Sequence, residues 1–205
     1  MSQPEDEPMN RRTSRRCAVV VLLAAGLLLI LAAILCYTRP WDEDASDLDP
    51  DWGLTLVGRN GEETMLSLAE IRAMPAHEGL GGFFTSVGVV NGPYEVKGVT
   101  LQHLCGLVGG LTSSDLVFVS SSDGYSSVLD YDQVEGNLPA YDPENMREVQ
   151  HEDMEVMLIY EQDGMPLSHD YGKPLRLAVV GTEGLLTEGF YWVKWVDRIE
   201  VVAPS

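Results

Sequence analysis

Residues 17–36, CAVVVLLAAGLLLILAAILC, constrain this chain more than any other stretch. They carry no charge and are almost wholly apolar. Twenty such residues at about 1.5 Å each match a hydrocarbon core of about 30 Å. Arg11, Arg12, Arg15 and Arg16 stand before the run, and Asp42, Glu43 and Asp44 stand after it. The positive-inside rule then predicts a cytoplasmic tail at 1–16 and a transmembrane anchor at 17–37. It makes the protein a single-pass component of the cell membrane, with its C-terminal part outside the cytoplasm. A cleaved signal peptide is the competing reading, but its apolar core runs about 7–15 residues. No small-x-small cleavage site is obvious here. Cys36 invites a lipoprotein reading, against which Leu35 is bulky where a small residue is expected. Ser14-Arg15-Arg16 partly resembles a twin-arginine export signal, although topology alone accounts for the four arginines.

An acidic linker occupies 38–53. Its Asp47-x-Asp49-x-Asp51 spacing is that of a calcium loop, but Gly53 falls one place late and Gly58 stands where a bidentate Glu is needed. Charge repulsion and solvation explain the run better. The formal net charge is −19, and residues 54–203 alone hold 23 acidic and 8 basic residues, a net of −15. Such a surface repels nucleic acid and anionic headgroups. Acidity also suits a high-salt proteome. Only Cys105 lies beyond the linker, so no internal disulfide framework is available.

The folded domain is expected at 54–203. Leu54–Val57 and Glu62–Leu66 read as a hairpin around Asn60-Gly61. Ser67-Leu-Ala-Glu70 reads as a capping box that opens a short helix before Pro75. Phe83–Val90 reads as a strand, Asn91-Gly92-Pro93 as its turn and Tyr94–Val96 as the return. Thr100 caps a helix at Leu101–Val108, ended by Gly109-Gly110. Leu116–Ser120, Tyr125–Leu129, Met154–Tyr160, Leu175–Val180 and Tyr191–Val202 read as further strands, and 135–151 as a loop. Short helices among many strands predict an α+β domain with a mixed sheet.

Three of the eight basic residues, Lys173, Arg176 and Lys194, fall within 22 positions. Arg176 sits in PLRLAVV, a run apolar enough to be buried on both faces. A buried guanidinium needs a partner: a structural carboxylate or a bound phosphate. Lys194 lies between Trp192 and Trp195 on a predicted strand, which aims it at one face and its neighbours at the other. The histidines, His77, His103, His151 and His169, show no metal-ligand spacing, and His151-Glu152-Asp153 reads as a solvated loop. No catalytic triad, Walker loop or dinucleotide fingerprint is visible.

The ordered strings GVTLQHL, DGYS, YEQDGMPL, YGKPLRL and VKWVDRIEV resemble the oxidoreductase molybdopterin-binding domain of the sulfite oxidase family. The resemblance covers nearly all of 54–203 and implies that family's mixed-sheet α+β fold. It implies a molybdopterin (molybdenum cofactor) whose phosphate end is held by Lys173, Arg176 and Lys194. Tyr171 takes the place of a pterin-contacting His. Asp123-Gly124-Tyr125 matches a segment near the cofactor, which makes Tyr125 a catalytic candidate. The family's metal-ligating Cys falls at Ser86, so no metal ligand is assigned and Ser86 is the candidate nearest the metal. Cys105 lies on the next helix and reads as core. Two functions follow. One is a relative that kept the fold but lost the thiolate hold on metal, acting as a binding or assembly module; the missing Cys favours it. The other is an active molybdopterin-dependent oxidoreductase that passes electrons to a membrane redox partner.

Overall fold

The computed structural model describes residues 52–151 and 154–204. The tail at 1–16, the anchor at 17–37, nearly all of the linker and the Glu152-Asp153 pair lie outside them. Among the described residues no helix is long and apolar enough to cross a membrane.

The N-terminal elements form as their local chemistry dictates. Strand β1 (Leu54–Val57) turns at Asn60-Gly61 into antiparallel β2 (Glu63–Leu66), with Leu54 opposite Leu66. Helix α1 (Leu68–Ala73) opens on a complete capping box: Ser67 Oγ accepts from the Glu70 backbone N–H, and Glu70 accepts from the Ser67 N–H at 2.8 Å. Its one buried residue, Ile71, anchors it to the core. With a single anchor the cap matters: Ser67→Ala should cost about 1 kcal/mol and lower Tm by about 2–4 °C in a thermal melt.

The next hairpin departs from expectation. Strand β3 spans His77–Phe84 and β4 spans Val90–Thr100. The expected strand at Phe83–Val90 is instead the end of β3, a turn and the first residue of β4. The Thr85 N–H donates to Val89 O at 2.9 Å, Gly88 N–H to Thr85 O at 2.8 Å, and Val89 N–H to Thr85 Oγ1 at 3.1 Å. Gly88 has φ 82°, which supplies the reversal that a run of apolar residues concealed. Conversely, Asn91-Gly92-Pro93 does not turn the chain but lies within β4, with a cis Gly92-Pro93 peptide.

Thr100 caps α2 (Leu101–Gly106), which is shorter than expected. Strands β5 (Leu116–Ser121) and β6 (Ser126–Asp130) flank the Asp123-Gly124 turn. The stretch expected as loop holds paired two-residue strands, β7 (Ala140–Tyr141) and β8 (Glu148–Val149); a capped turn of helix, α3 (Tyr131–Val134), precedes it. Strands β9 (Glu155–Gln162), β10 (Met165–Pro166), β11 (Arg176–Val180), β12 (Leu186–Glu188) and β13 (Val196–Val202) complete the domain. Lys194 is therefore not on a strand. It follows a 3-10 turn at Gly189–Tyr191, and Trp195 adopts φ 53°, which ends any alternation before β13 begins.

Two sheets share one core. The five-stranded sheet runs β2-β1-β13-β5-β6, with β13 parallel to β1 and antiparallel to β5. The larger sheet runs β10-β9-β4-β3-β12-β7-β8, and β11 joins β9 on its other side. Leu80 and Gly181 exchange backbone hydrogen bonds of 2.8 and 2.9 Å, which bring the end of β11 back onto β3. Strands β3, β4, β9 and β11 thus close into a small ring. Closure needs a bare backbone at Gly81, where a Cβ would lie 2.4 Å from Val179 O. Strand β11 is buried throughout, so its first residue, Arg176, starts inside the protein.

Candidate functional site

Arg176 is 2 % exposed, and its guanidinium lies against two aromatic rings that also touch each other. Its carbon sits 4.8 Å from the Phe83 ring centroid and 5.2 Å from that of Trp192, whose rings are themselves 5.1 Å apart. Phe83 comes from β3, and Trp192 from the segment after β12. Trp192 Nε1 donates to buried Thr187 Oγ1 at 3.0 Å, which fixes the indole. Arg176 Nε is buried without a hydrogen-bond partner, and no carboxylate compensates the charge among the described residues. Burial pushes the guanidinium down to about 10, and the phenols of Tyr94 and Tyr171 oppose that shift. Tyr94 and Tyr171 meet edge to face at 6.4 Å.

Lys194 joins this cleft through a lattice of backbone contacts. Leu177 N–H donates to Val193 O at 2.8 Å, Trp195 N–H to Gly172 O at 3.3 Å and Val196 N–H to Leu175 O at 3.0 Å. The segment 172–177 therefore runs alongside 193–196. Gly172 has φ 104°, and a Cβ there would meet Lys194 Cα at 3.0 Å, so only glycine lets the two segments approach. Lys194 Nζ donates to the Asp170 carbonyl and lies 5.6 Å from the Trp195 ring centroid. Desolvation lowers its ammonium below the usual lysine range, and the Arg176 charge lowers it further. The Arg176 and Lys194 charges are thus near enough to oppose each other. The 3-10 turn His169–Tyr171 supports them: Trp195 Nε1 donates to His169 O at 2.9 Å.

The other sequence candidates are placed unequally. Tyr171 is exposed at the cleft mouth, and half-buried Lys173 follows Gly172. Tyr125 is exposed on the β5–β6 turn, where the Ser122 N–H reaches Trp195 O at 3.4 Å; that turn therefore borders the Lys194 segment. Ser86 sits on the exposed β3–β4 turn, three residues beyond Phe83, not at the end of a strand. Cys105 is fully buried in α2 with its thiol pushed up to about 12 by desolvation, so it offers no thiolate. Among the described residues no group of three His, Cys, Asp or Glu side chains is arranged to hold a metal. Phe83 and Tyr94 were not foreseen as cleft residues. A groove of about 530 Å³ lies elsewhere, over Glu78, Leu80, Glu95 and Lys97.

A closed ring of strands beside a second mixed sheet, with short helices between, makes this an α+β domain. The model for the oxidoreductase molybdopterin-binding domain matches residues 41–205, and the chain belongs to that family, the sulfite oxidase family. The fold is similar to that of a solved structure, the sulfane dehydrogenase SoxCD from Paracoccus pantotrophus, at 18% identity and a TM-score of 0.57. That match covers 76% of this chain but 39% of the SoxCD chain. A comparison with curated proteins finds no match.

Proposed function

We propose that this chain is a membrane-anchored extracytoplasmic protein whose domain binds the phosphate end of a molybdopterin cofactor without a protein thiolate on the metal. It then works as a binding or assembly module. Arg176 carries the reading. A guanidinium buried without a carboxylate is a costly arrangement unless an anion completes it. Lys194, Lys173 and Tyr171 would complete the anion's surroundings, with Gly172 keeping the cleft wall thin. The anionic end of the cofactor fits this donor set. The metal end does not: the β3–β4 turn offers Ser86 where a soft thiolate would suit molybdenum. A serine hydroxyl ionises far less readily than a thiol.

When bound, the cofactor supplies the redox chemistry, and the chain supplies binding and electrostatics. A second reading keeps the enzyme. Tyr125 is exposed on the turn beside Trp195, as a phenol near reacting atoms would be, and electrons would pass to a membrane redox partner. Elemental analysis and pterin fluorescence on protein purified from its native host separate the two. The module reading expects pterin with molybdenum well below one equivalent per chain, and a higher molybdenum content in Ser86→Cys. Stoichiometric molybdenum in the unsubstituted protein would overturn the module and restore the enzyme.

A further inference from the structure

Among the described residues, Gln162 Oε1 at the end of β9 is buried without a hydrogen-bond donor. Neither functional reading uses it. Arg176 Nε is buried without an acceptor. The two atoms are complementary, and each is costly to leave unpaired. Asp163, next along the chain, is engaged elsewhere: its N–H donates to Glu95 O at 2.7 Å, and its Oδ1 accepts from the Glu95 N–H at 3.0 Å. That exchange fixes the β9–β10 hairpin against β4, and Gln162 with it.

Strand register puts Gln162 and Arg176 on one face of the ring. Val96 stands opposite Gln162, Gly98 opposite Ile159, and Ile159 opposite Arg176. Opposed residues of antiparallel strands share a face. The register shift between Lys97 and Gly98 takes up one residue of β9, Tyr160, so both rows face the same way. Val96 and Ile159 are buried core residues, so this face looks inward. The other face carries Lys97 and Glu161, which line the groove outside, where Lys97 pairs with Glu78 at 2.7 Å. Gln162 and Arg176 are thus diagonal neighbours on the inward face, at a separation of about 7–8 Å that long side chains bridge. Tyr94 shares that face by the alternation of β4. Its phenol feels both the Arg176 charge and the Asp163 carboxylate, so the cleft continues to the β9–β10 hairpin.

We infer that Gln162 accepts a hydrogen bond from the anion that Arg176 binds, so that the cleft selects an anion carrying its own donor over a fully ionised one. Singly protonated phosphate meets this demand and sulfate does not. An ester that sets an N–H or O–H group beside its phosphate meets it too. The inference rests on the anion site proposed above and names what that site distinguishes. Arg176 donates to one oxygen of the anion, and Gln162 Oε1 accepts the proton on the next. A neutral amide suits this task. It offers an acceptor without adding a negative charge that would repel the anion or neutralise Arg176.

The test is titration calorimetry of the full chain in detergent with inorganic phosphate and with sulfate. At about pH 8 both anions are mainly dianions, and only phosphate carries a proton. Phosphate should bind roughly tenfold more tightly, the worth of one buried hydrogen bond. Methyl phosphate, a dianion without a proton at that pH, should bind like sulfate, which also separates free from esterified phosphate. Gln162→Leu should remove the phosphate preference and leave sulfate binding within about twofold. Equal binding of phosphate and sulfate by the unsubstituted protein overturns the inference while the anion site stands, and that comparison needs no variant. Methyl phosphate binding like inorganic phosphate overturns it as well, and so does a phosphate preference that survives Gln162→Leu. A preference for sulfate would mean that the amide N–H faces the anion, and an equal loss of both anions in Gln162→Leu would make Gln162 a support for Arg176; either result also overturns it. Binding of neither anion overturns the anion site, and the inference with it.

Discussion

Replacing Arg176 with Met is expected to weaken pyrophosphate binding by roughly 100-fold while the domain stays folded, because a charge-assisted bidentate contact is lost. The stability change separates a ligand site from a structural ion pair. Breaking a buried pair costs about 3–5 kcal/mol because the abandoned carboxylate stays buried. Here no carboxylate is abandoned. Two stacked aromatic faces are lost, at about 2 kcal/mol or less each. Against that, burial lowers the guanidinium's ionisation to about 10, which corresponds to a burial cost of roughly 3 kcal/mol. The effects nearly cancel, and Met fills the slot, so urea unfolding should shift by less than about 2 kcal/mol. A loss above about 3 kcal/mol with binding retained would make Arg176 a scaffold residue. Sulfate, whose charge is constant over this range, gives the pH signature. Binding needs the protonated cations, so it is complete below their free-state ionisation and lost as pH rises. The decline should start below the usual lysine range, as Lys194 deprotonates, and continue through about 10 with Arg176.

Gly98→Ala is expected to destabilise the domain strongly. Gly98 sits where the β4–β9 register shifts, and a Cβ there would lie 2.1 Å from Leu158 O and 2.6 Å from Ile159 Cα. Both obstacles are backbone atoms in the ring of strands, so a side-chain rotation cannot relieve them. Overpacking usually costs about 1–3 kcal/mol; with backbone on the receiving side we expect about 3 kcal/mol or more. Chemical denaturation checks this. An unchanged midpoint would mean that the ring yields more readily than its packing implies. Gly61→Ala is the contrast for crowding, because nothing lies within 4 Å of a Cβ there and only its positive φ is at stake.

What could be read from the sequence follows the range of the forces involved. Caps and the first hairpin were legible because Ser67–Glu70 and Asn60-Gly61 act over three residues. Arg176 was legible because a cation in PLRLAVV contradicts its surroundings. The β3–β4 turn was not. Gly88 is one glycine inside an apolar run, and Val87 and Val89 look like strand residues until their exposure is seen. Lys194 was assigned to the wrong element by alternation, because nothing local announces the positive φ at Trp195. Phe83 and Tyr94 reach the cleft through strand pairing between distant segments, a non-local relation that no short motif encodes. Trp192 belongs both to the core and to the surroundings of Arg176.

The last strand of the chain is the middle strand of its sheet. Strand β13 separates β1 from β5, so the β1–β2 and β5–β6 hairpins cannot join until residues 196–202 have been made. During synthesis the five-stranded sheet cannot assemble from the N-terminal end, and the apolar edges of β1 and β5 must wait uncovered. The five-stranded sheet is therefore expected to close only after β13 has been made. Products truncated even ten residues early would therefore be cleared or aggregate instead of surviving as shorter domains.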